Sequence, residues 1–400
     1  MKSQLKTMCA LMIITGLVLV AGCRKKTPPP PAEDTQAAPQ PAQEQQEQTA
    51  AGREDVLRLM VWGGYEPKEY VEEFEKEIEA RYGRQVKMDV ILAGSSDDFY
   101  AAIRNKSVDL VTISHHTIKD GRFNFISKKL ILPFDLENIP NHANVIDELK
   151  MADYHVSDGK VYGIPIANGP YGLAYNTEKV TGTPDSWNIF WDPEFKGKYV
   201  LGAQEYLYNV NITALVLGYP RDSISHYDAL NNNEFREKLR QLAVNAHAFW
   251  IGVDTPEDLF GQSLAASWGD SLSGLERMGE AWKMADPKEG TMWWIDEYAM
   301  TWALTDKPFM KKVAEEWINK SLSTAFQVDH LVRELQVYPA ITHITDLLTD
   351  EEKGRVLTNG GPGGFSEKRI LQHTYSQRDR NALKLLWEEA MKGIVVEKEQ

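Results

Sequence analysis

Three tryptophans of this 400-residue chain sit beside turn-forming and acidic residues instead of inside apolar runs. Trp62 opens a Trp-Gly-Gly-Tyr turn that ends at Tyr65, Trp268 precedes Gly269 and Asp270, and Trp294 stands two residues before Asp296 on what reads as a strand-like edge. Aromatic faces attract cations by about 0.5–2 kcal/mol each when the contact is dry. A buried carboxylate adds a charge-assisted hydrogen bond of about 1.5–3 kcal/mol. Rings with a few carboxylates therefore make a box for an organic cation, and the same rings also suit stacking on a sugar. Most tryptophans are core residues, and Trp187, Trp191, Trp250, Trp317 and Trp387 are expected there.

Other chemistry-bearing residues are less persuasive. Gly269-Asp270-Ser271-Leu272 spells a hydrolase signature with Ser271 as nucleophile. Such enzymes carry that serine near the start of the mature chain and an Asp-x-x-His near the end. Here the tetrapeptide is mid-chain, and none of the nine histidines follows an aspartate at that spacing, so coincidence is the better account. His115 and His116 close a strand, where adjacent side chains point to opposite sides and make poor partners for one ion. No His-x-x-x-His pair or carboxylate companion accompanies them. Gly360 to Gly364 lacks the lysine of a phosphate-cradling loop and reads as a turn. The only cysteines, Cys9 and Cys23, lie at the amino terminus, which excludes a disulfide framework or a cysteine-based metal site in the rest of the chain. No metal or cofactor is expected.

Lys2 and Lys6 precede an apolar run from Met8 to Val20 that ends in Leu-Val-Ala-Gly-Cys23, the pattern of a secretory leader. Cysteine after Ala-Gly resembles a bacterial lipobox, with Cys23 as the lipidated first residue. The run is shorter than the ~20 residues of a membrane span. Residues 1–22 are thus read as a leader and 23–53 as a lipidated cysteine followed by a tether. The tether is rich in Pro, Gln and Ala, has no large apolar residue and cannot bury a core. Acidic residues outnumber basic ones, 58 to 44, for a net charge of −14. Losing the two leader lysines brings it to −16. Such a surface argues against sequence-independent nucleic-acid binding.

The rest alternates strand and helix. Leu57–Val61, Val86–Leu92 and Val108–Ile113 read as strands, separated by helical patterns over Pro67–Tyr82 and Asp97–Asn105, which indicates a parallel sheet covered on both faces. Ligand crevices of such sheets lie beyond the carboxyl ends of the strands, which is where Trp62–Tyr65 and Ser114–His116 fall. A second α/β region begins near Val161, with a strand at Tyr199–Leu201 and helices over Glu234–Ala246, Phe309–Leu322 and Arg378–Met391.

Beyond Leu57 the chain resembles the periplasmic spermidine/putrescine-binding proteins, solute receptors of polyamine ABC importers. The resemblance rests on Val61-Trp62-x-x-Tyr65, Asp109-Leu110-Val111 leading to Ser114, and Gly163-Ile164-Pro165. It continues in Asp192-Pro193-Glu194-Phe195-Lys196-Gly197, Lys288-Glu289-Gly290 leading to Trp294-x-Asp296, and Tyr338-Pro339. It implies a two-lobed type 2 periplasmic-binding fold, each lobe a mixed sheet flanked by helices, closing by a hinge over a ligand in the interlobe cleft. Lobe one would hold 54–168 and 297–345, lobe two 169–296 and 346–400. Carried over by position, Trp62, Tyr65, Trp268, Trp294 and Tyr338 match the aromatic box, Asp296 the carboxylate on a ligand nitrogen, and Ser114 and Gln377 polar contacts. His116 stands where a tyrosine is usual and Gly63 where a threonine is. The family's acidic pair falls on Glu205 and Tyr208, or without a one-residue gap on Gln204 and Leu207. The gapped version also aligns Leu217-Gly218-Tyr219, and leaves Glu205 as the surviving carboxylate. The expectation is a monomeric, lipid-anchored periplasmic receptor for a small polyamine, without catalysis, that delivers to a membrane permease. The same fold with a quaternary amine or sugar is the first alternative, and a hydrolase centred on Ser271 the second.

Overall fold

A computed structural model describes residues 55–150, 152–357 and 368–396. The expected leader, Cys23 with its tether, and the Gly360–Gly364 turn lie outside the described residues. β1 (Asp55–Val61), α1 (Lys68–Tyr82), β2 (Val86–Leu92), α2 (Ser96–Arg104) and β3 (Leu110–Ser114) form the expected alternation. Val71, Phe74 and Ile78 recur at helical spacing and bury one stripe of α1. The Ser95 side chain accepts from the Asp98 N–H and starts α2.

The chain continues through β4 (Ile164–Asn176), β5 (Tyr199–Gly202), α3 (Tyr206–Val216), α4 (Asn233–Asn245), β6 (Ala248–Trp250) and β7 (Leu264–Ser267). Then come β8 (Thr291–Thr301), α5 (Pro308–Ser321), β9 (Arg369–Leu371) and α6 (Gln377–Ala390). The main sheet runs β2-β1-β3-β8-β4-β7-β5-β6. β1, β2 and β3 are parallel, whereas β8 runs antiparallel to both β3 and β4, so the sheet is mixed. β8 is therefore an inner strand and not the edge its sequence suggested. Every residue of β4 and β8 is buried, as befits strands covered on both faces.

These two strands divide the molecule. β4 pairs with β8 through Ile164–Tyr171 and with β7 through Gly172–Tyr175. β8 pairs with β9 through Thr291–Trp293 and with β3 through Asp296–Met300. Each strand thus begins in one core and ends in the other. The first core gathers Leu59, Phe74, Ile166, Ile295 and Trp317, with a satellite around Phe99, Ile103, Phe123 and Phe125. Leu348 and Val356 also pack there, past residue 345. The second gathers Tyr171, Leu201, Val210, Leu239, Met292 and Trp387. Two α/β lobes joined by crossing strands are the result.

Candidate functional site at the seam of the lobes

Asp296 lies where the two lobes meet, paired on β8 with Ser114 of β3 and Ala167 of β4. The ladder to β4 shifts register between Asp296 and Glu297, a bulge of the kind that re-aims a side chain. The carboxylate accepts from the Ser114 hydroxyl at 2.9 Å and from the Tyr65 hydroxyl at 2.9 Å. Asp296 is only 8% exposed, and burial pushes its pKa up to about 6 against the pull of those two bonds.

The turn after β1 delivers Tyr65. Its Gly64 has a φ of +101°, and a Cβ there would meet Leu335 at 2.9 Å, so the position requires glycine. Trp62 rests edge-on against Phe99, ring centroids 4.9 Å apart, and its buried indole N–H has no hydrogen-bond partner. Trp294 leaves β8 on the same face as Asp296, two residues away. Its indole lies over Gly169 and donates to the Pro170 carbonyl.

The second lobe supplies rings and further carboxylates. Tyr171, Tyr208 and Trp268 form a cluster, with centroids 4.7 Å apart for Tyr171–Tyr208, 4.8 Å for Tyr171–Trp268 and 5.2 Å for Tyr208–Trp268. Trp268 packs against both cores. Its position is fixed by buried Asp254, which accepts from the Trp268 N–H and from the hydroxyls of Ser267 and Ser271. The side chains of Glu205, at the start of α3, and Asp270, two residues past Trp268, have no hydrogen-bond or ion-pair partner among the described residues. Burial and the nearby Asp254 raise Glu205 to about 8. The charges of Asp254 and Asp296 face Asp270, which is exposed.

Tyr65, Ser114 and Asp296 are thus brought together from the first lobe and the crossing strands, with Trp294 on the Asp296 face of β8 and Trp62 at the head of the turn that carries Tyr65. Glu205 and Trp268 come from the second lobe. Three other candidates sit elsewhere. Tyr338 pairs with Asn168 of β4, and its ring meets Trp293 at 5.0 Å. That is the face opposite Trp294 and Asp296. Gln377 is exposed at the first turn of α6. His116 is buried, and the charges facing it are those of His115, Arg380 and Arg122. The two histidines are not in extended chain but in a helical turn, His115–Ile118, because Thr117 bonds back to the Ser114 carbonyl at 2.7 Å. No group of three or more potential metal ligands occurs among the described residues. Ser271 is buried with its hydroxyl on Asp254, an arrangement that anchors a loop and gives the serine no histidine base.

Asp270, Tyr171 and Gln372 lie among these residues although spacing did not single them out. Asp270 was visible only as a polar neighbour of Trp268. Gln372, five residues before Gln377, accepts the Tyr208 hydroxyl at 2.6 Å, and no sequence signal separates the two glutamines.

Residues 105–358 match the model of the bacterial extracellular solute-binding protein family. The spermidine/putrescine-binding periplasmic protein 1 of Haemophilus influenzae is 25% identical over 263 residues, covering 63% of this chain and 68% of that one. Among solved structures, a putative spermidine/putrescine ABC transporter protein from Listeria monocytogenes superposes with a TM-score of 0.68 at 19% identity, over 84% of this chain and 99% of that one. A structure described as the Atu4243–GABA receptor gives 0.62 at 15% identity, over 86% and 100%. The fold is accordingly the mixed α/β, two-lobed periplasmic-binding fold, and the chain belongs to the bacterial extracellular solute-binding proteins.

Proposed function

We propose that this protein is the lipid-anchored receptor of an ABC importer and captures a polyamine between its lobes. The lobes exchange chain at β4 and β8 and close over the ligand by bending there. One observation carries the ligand class: a buried carboxylate, Asp296, held by Tyr65 and Ser114 with Trp294 on the same face of its strand, and the partnerless side chains of Glu205 and Asp270 from the second lobe. A ligand bringing several ammonium groups pairs with these carboxylates and finds ring faces along its length. Cys23 is the lipid site, residues 24–53 the tether, and a membrane permease the partner. The relatives named for spermidine and putrescine support this reading.

Titration calorimetry with putrescine and spermidine is the test. Asp296→Asn should weaken binding at least tenfold, since an ammonium left without its buried partner costs on the order of 2–5 kcal/mol. Wild-type affinity in a folded Asp296→Asn protein refutes the assignment. A thermal-shift screen that includes γ-aminobutyrate, betaine and oligosaccharides separates polyamines from other solutes of this fold.

A further inference from the structure

Asp296 is held in place from two sides, and one helix reaches both. Residues Phe326–Glu334 form a π-helix, and the Leu335 N–H that follows it donates to the His330 carbonyl, five residues back, at 3.0 Å. Such helices are rare and gather at functional sites. Gln327 in this helix is fully buried and uses both ends of its amide. Its Nε2 donates to the carbonyls of Ile166 at 3.1 Å and Ser321 at 2.9 Å, and its Oε1 accepts the Ala340 N–H at 2.8 Å. Ile166 is the residue that the β4–β8 register skips, since Asp296 pairs with Ala167 and Glu297 with Pro165. The extra residue of a bulge has no ladder partner of its own. Gln327 takes up its carbonyl, and so locks the helix to the bulge that aims Asp296.

From that fixed helix His330 reaches the other side. Its Nε2 lies 2.6 Å from the Gly64 carbonyl, an oxygen that only accepts, so Nε2 carries the hydrogen and donates it. Its Nδ1 lies 2.6 Å from an oxygen of Glu334, and the rings of Phe326 and Tyr70 pack at centroid distances of 5.2 and 6.2 Å. These contacts fix the plane of the imidazole. Gly64 is the left-handed pivot of the turn after β1, already abutted by Leu335 at the end of the same helix. The next residue is Tyr65, whose hydroxyl donates to Asp296. Resting on the reading of Asp296 as the ligand's carboxylate, we infer that His330 is a positioning residue of this site. It sets, through the Gly64 turn, the Tyr65 hydroxyl that holds Asp296, and it does so from a helix locked to the bulge behind that carboxylate.

The groups that face the Asp296 carboxylate are Ser114 and Tyr65, Glu297 on its own strand, and Asp270 and Tyr208 from the second lobe; His330 is not among them. A change at His330 therefore reaches Asp296 by way of Tyr65. The test follows the Asp296 carboxyl by NMR against pH in the unliganded protein, isotope-labelled at its aspartate carboxyls, with the signal identified by its loss in Asp296→Asn. His330→Leu fills the space without a donor. It should raise the Asp296 midpoint by about half a pH unit or more, because the Tyr65 bond favours the charged form. It should also weaken putrescine about fivefold by calorimetry, the effect of one lost hydrogen bond. His330→Gln keeps a donor for Gly64 and should stay near wild type in both. In a Tyr65→Phe background His330→Leu should change neither further, a non-additivity that general loosening of the fold does not produce. Circular-dichroism melts establish which variants are folded. A wild-type midpoint in folded His330→Leu, or full additivity with Tyr65→Phe, overturns the inference. Should His330→Leu not fold, Glu334→Ala at the exposed end of the helix releases the same ring, and an unchanged midpoint there overturns it instead. A wild type that binds no diamine removes the polyamine reading, while the unliganded titration still decides the role of His330.

Discussion

Asp296 and Glu205 are held at about 6 and 8, each above its ordinary value chiefly because burial disfavours charge. Two opposite pH effects follow. Alkylammonium groups stay protonated to about pH 10, so between pH 8 and 5 only the protein titrates. Ligand affinity should fall as pH drops through that range, because a protonated carboxyl no longer pairs with an ammonium. Proton release on binding near pH 7 should be visible as a dependence of the calorimetric enthalpy on buffer. The unliganded fold responds the other way. For Glu205, raised from 4.5 to about 8, the native state keeps a proton that the unfolded state has lost. Its contribution to stability is complete below pH 4.5, drains away as pH climbs to 8 and is gone above it. Glu205→Gln removes that loss. Its melting temperature should match wild type near pH 4.5 and rise progressively above it up to pH 8, with the gap constant beyond. A gap that does not change with pH contradicts the burial argument. Glu205 thus costs apo stability at neutral pH, where the native state holds a proton that an arriving cation would expel.

Trp294 reaches the seam because β4 offers it no side chain. A Cβ on Gly169 would lie 2.7 Å from Cζ2 of the indole, a rigid ring that cannot flex away as a methionine tip could. Gly169→Ala should therefore push Trp294 off its bond to Pro170, weaken ligand binding several-fold and cost about 1–3 kcal/mol in denaturant titration. Wild-type tryptophan fluorescence and affinity in that variant contradict the contact. Local periodicity made α1, α2, β1 and β2 readable, since the 3.6- and 2-residue repeats record which side faces a core. It also placed Asp296 and Trp294 on one face. The fate of Tyr338 was not readable, because parity across a ladder decides it. Its partner Asn168 accepts from Trp293 Nε1 at 2.8 Å, on the face away from Asp296, and Tyr338 follows its partner there. The bulge at Asp296, the turn that carries His116 and the choice of Gln372 over Gln377 likewise depend on contacts between segments far apart in sequence.

At the scale of the whole molecule, one of the polar links between the lobes is a buried ion pair. Asp120 follows β3 among the residues of the first lobe's satellite core, and Arg380 lies on the first turns of α6 in the second lobe. Arg380 Nη2 bonds Asp120 Oδ2, with the side chains 9% and 0% exposed, while Asp120 Oδ1 accepts the Arg122 N–H at 2.8 Å. In the proposed cycle, opening must hydrate both charges and closing must strip them again. A buried pair gains little over apolar contact, yet removing one partner costs on the order of 3–5 kcal/mol, because the other charge is stranded. The protein can escape that cost by staying open. Arg380→Met should therefore lower the melting temperature less than the stranded charge implies. Its radius of gyration by small-angle scattering should be larger than that of wild type at equal ligand concentration, and its affinity weaker. Replacing both partners, Asp120→Leu with Arg380→Leu, leaves no charge to strand and should return the compact form. If Arg380→Met scatters and binds as wild type does, the pair is not a latch. If the double variant stays expanded, what holds the lobes shut is the pair itself and not merely relief of a stranded charge.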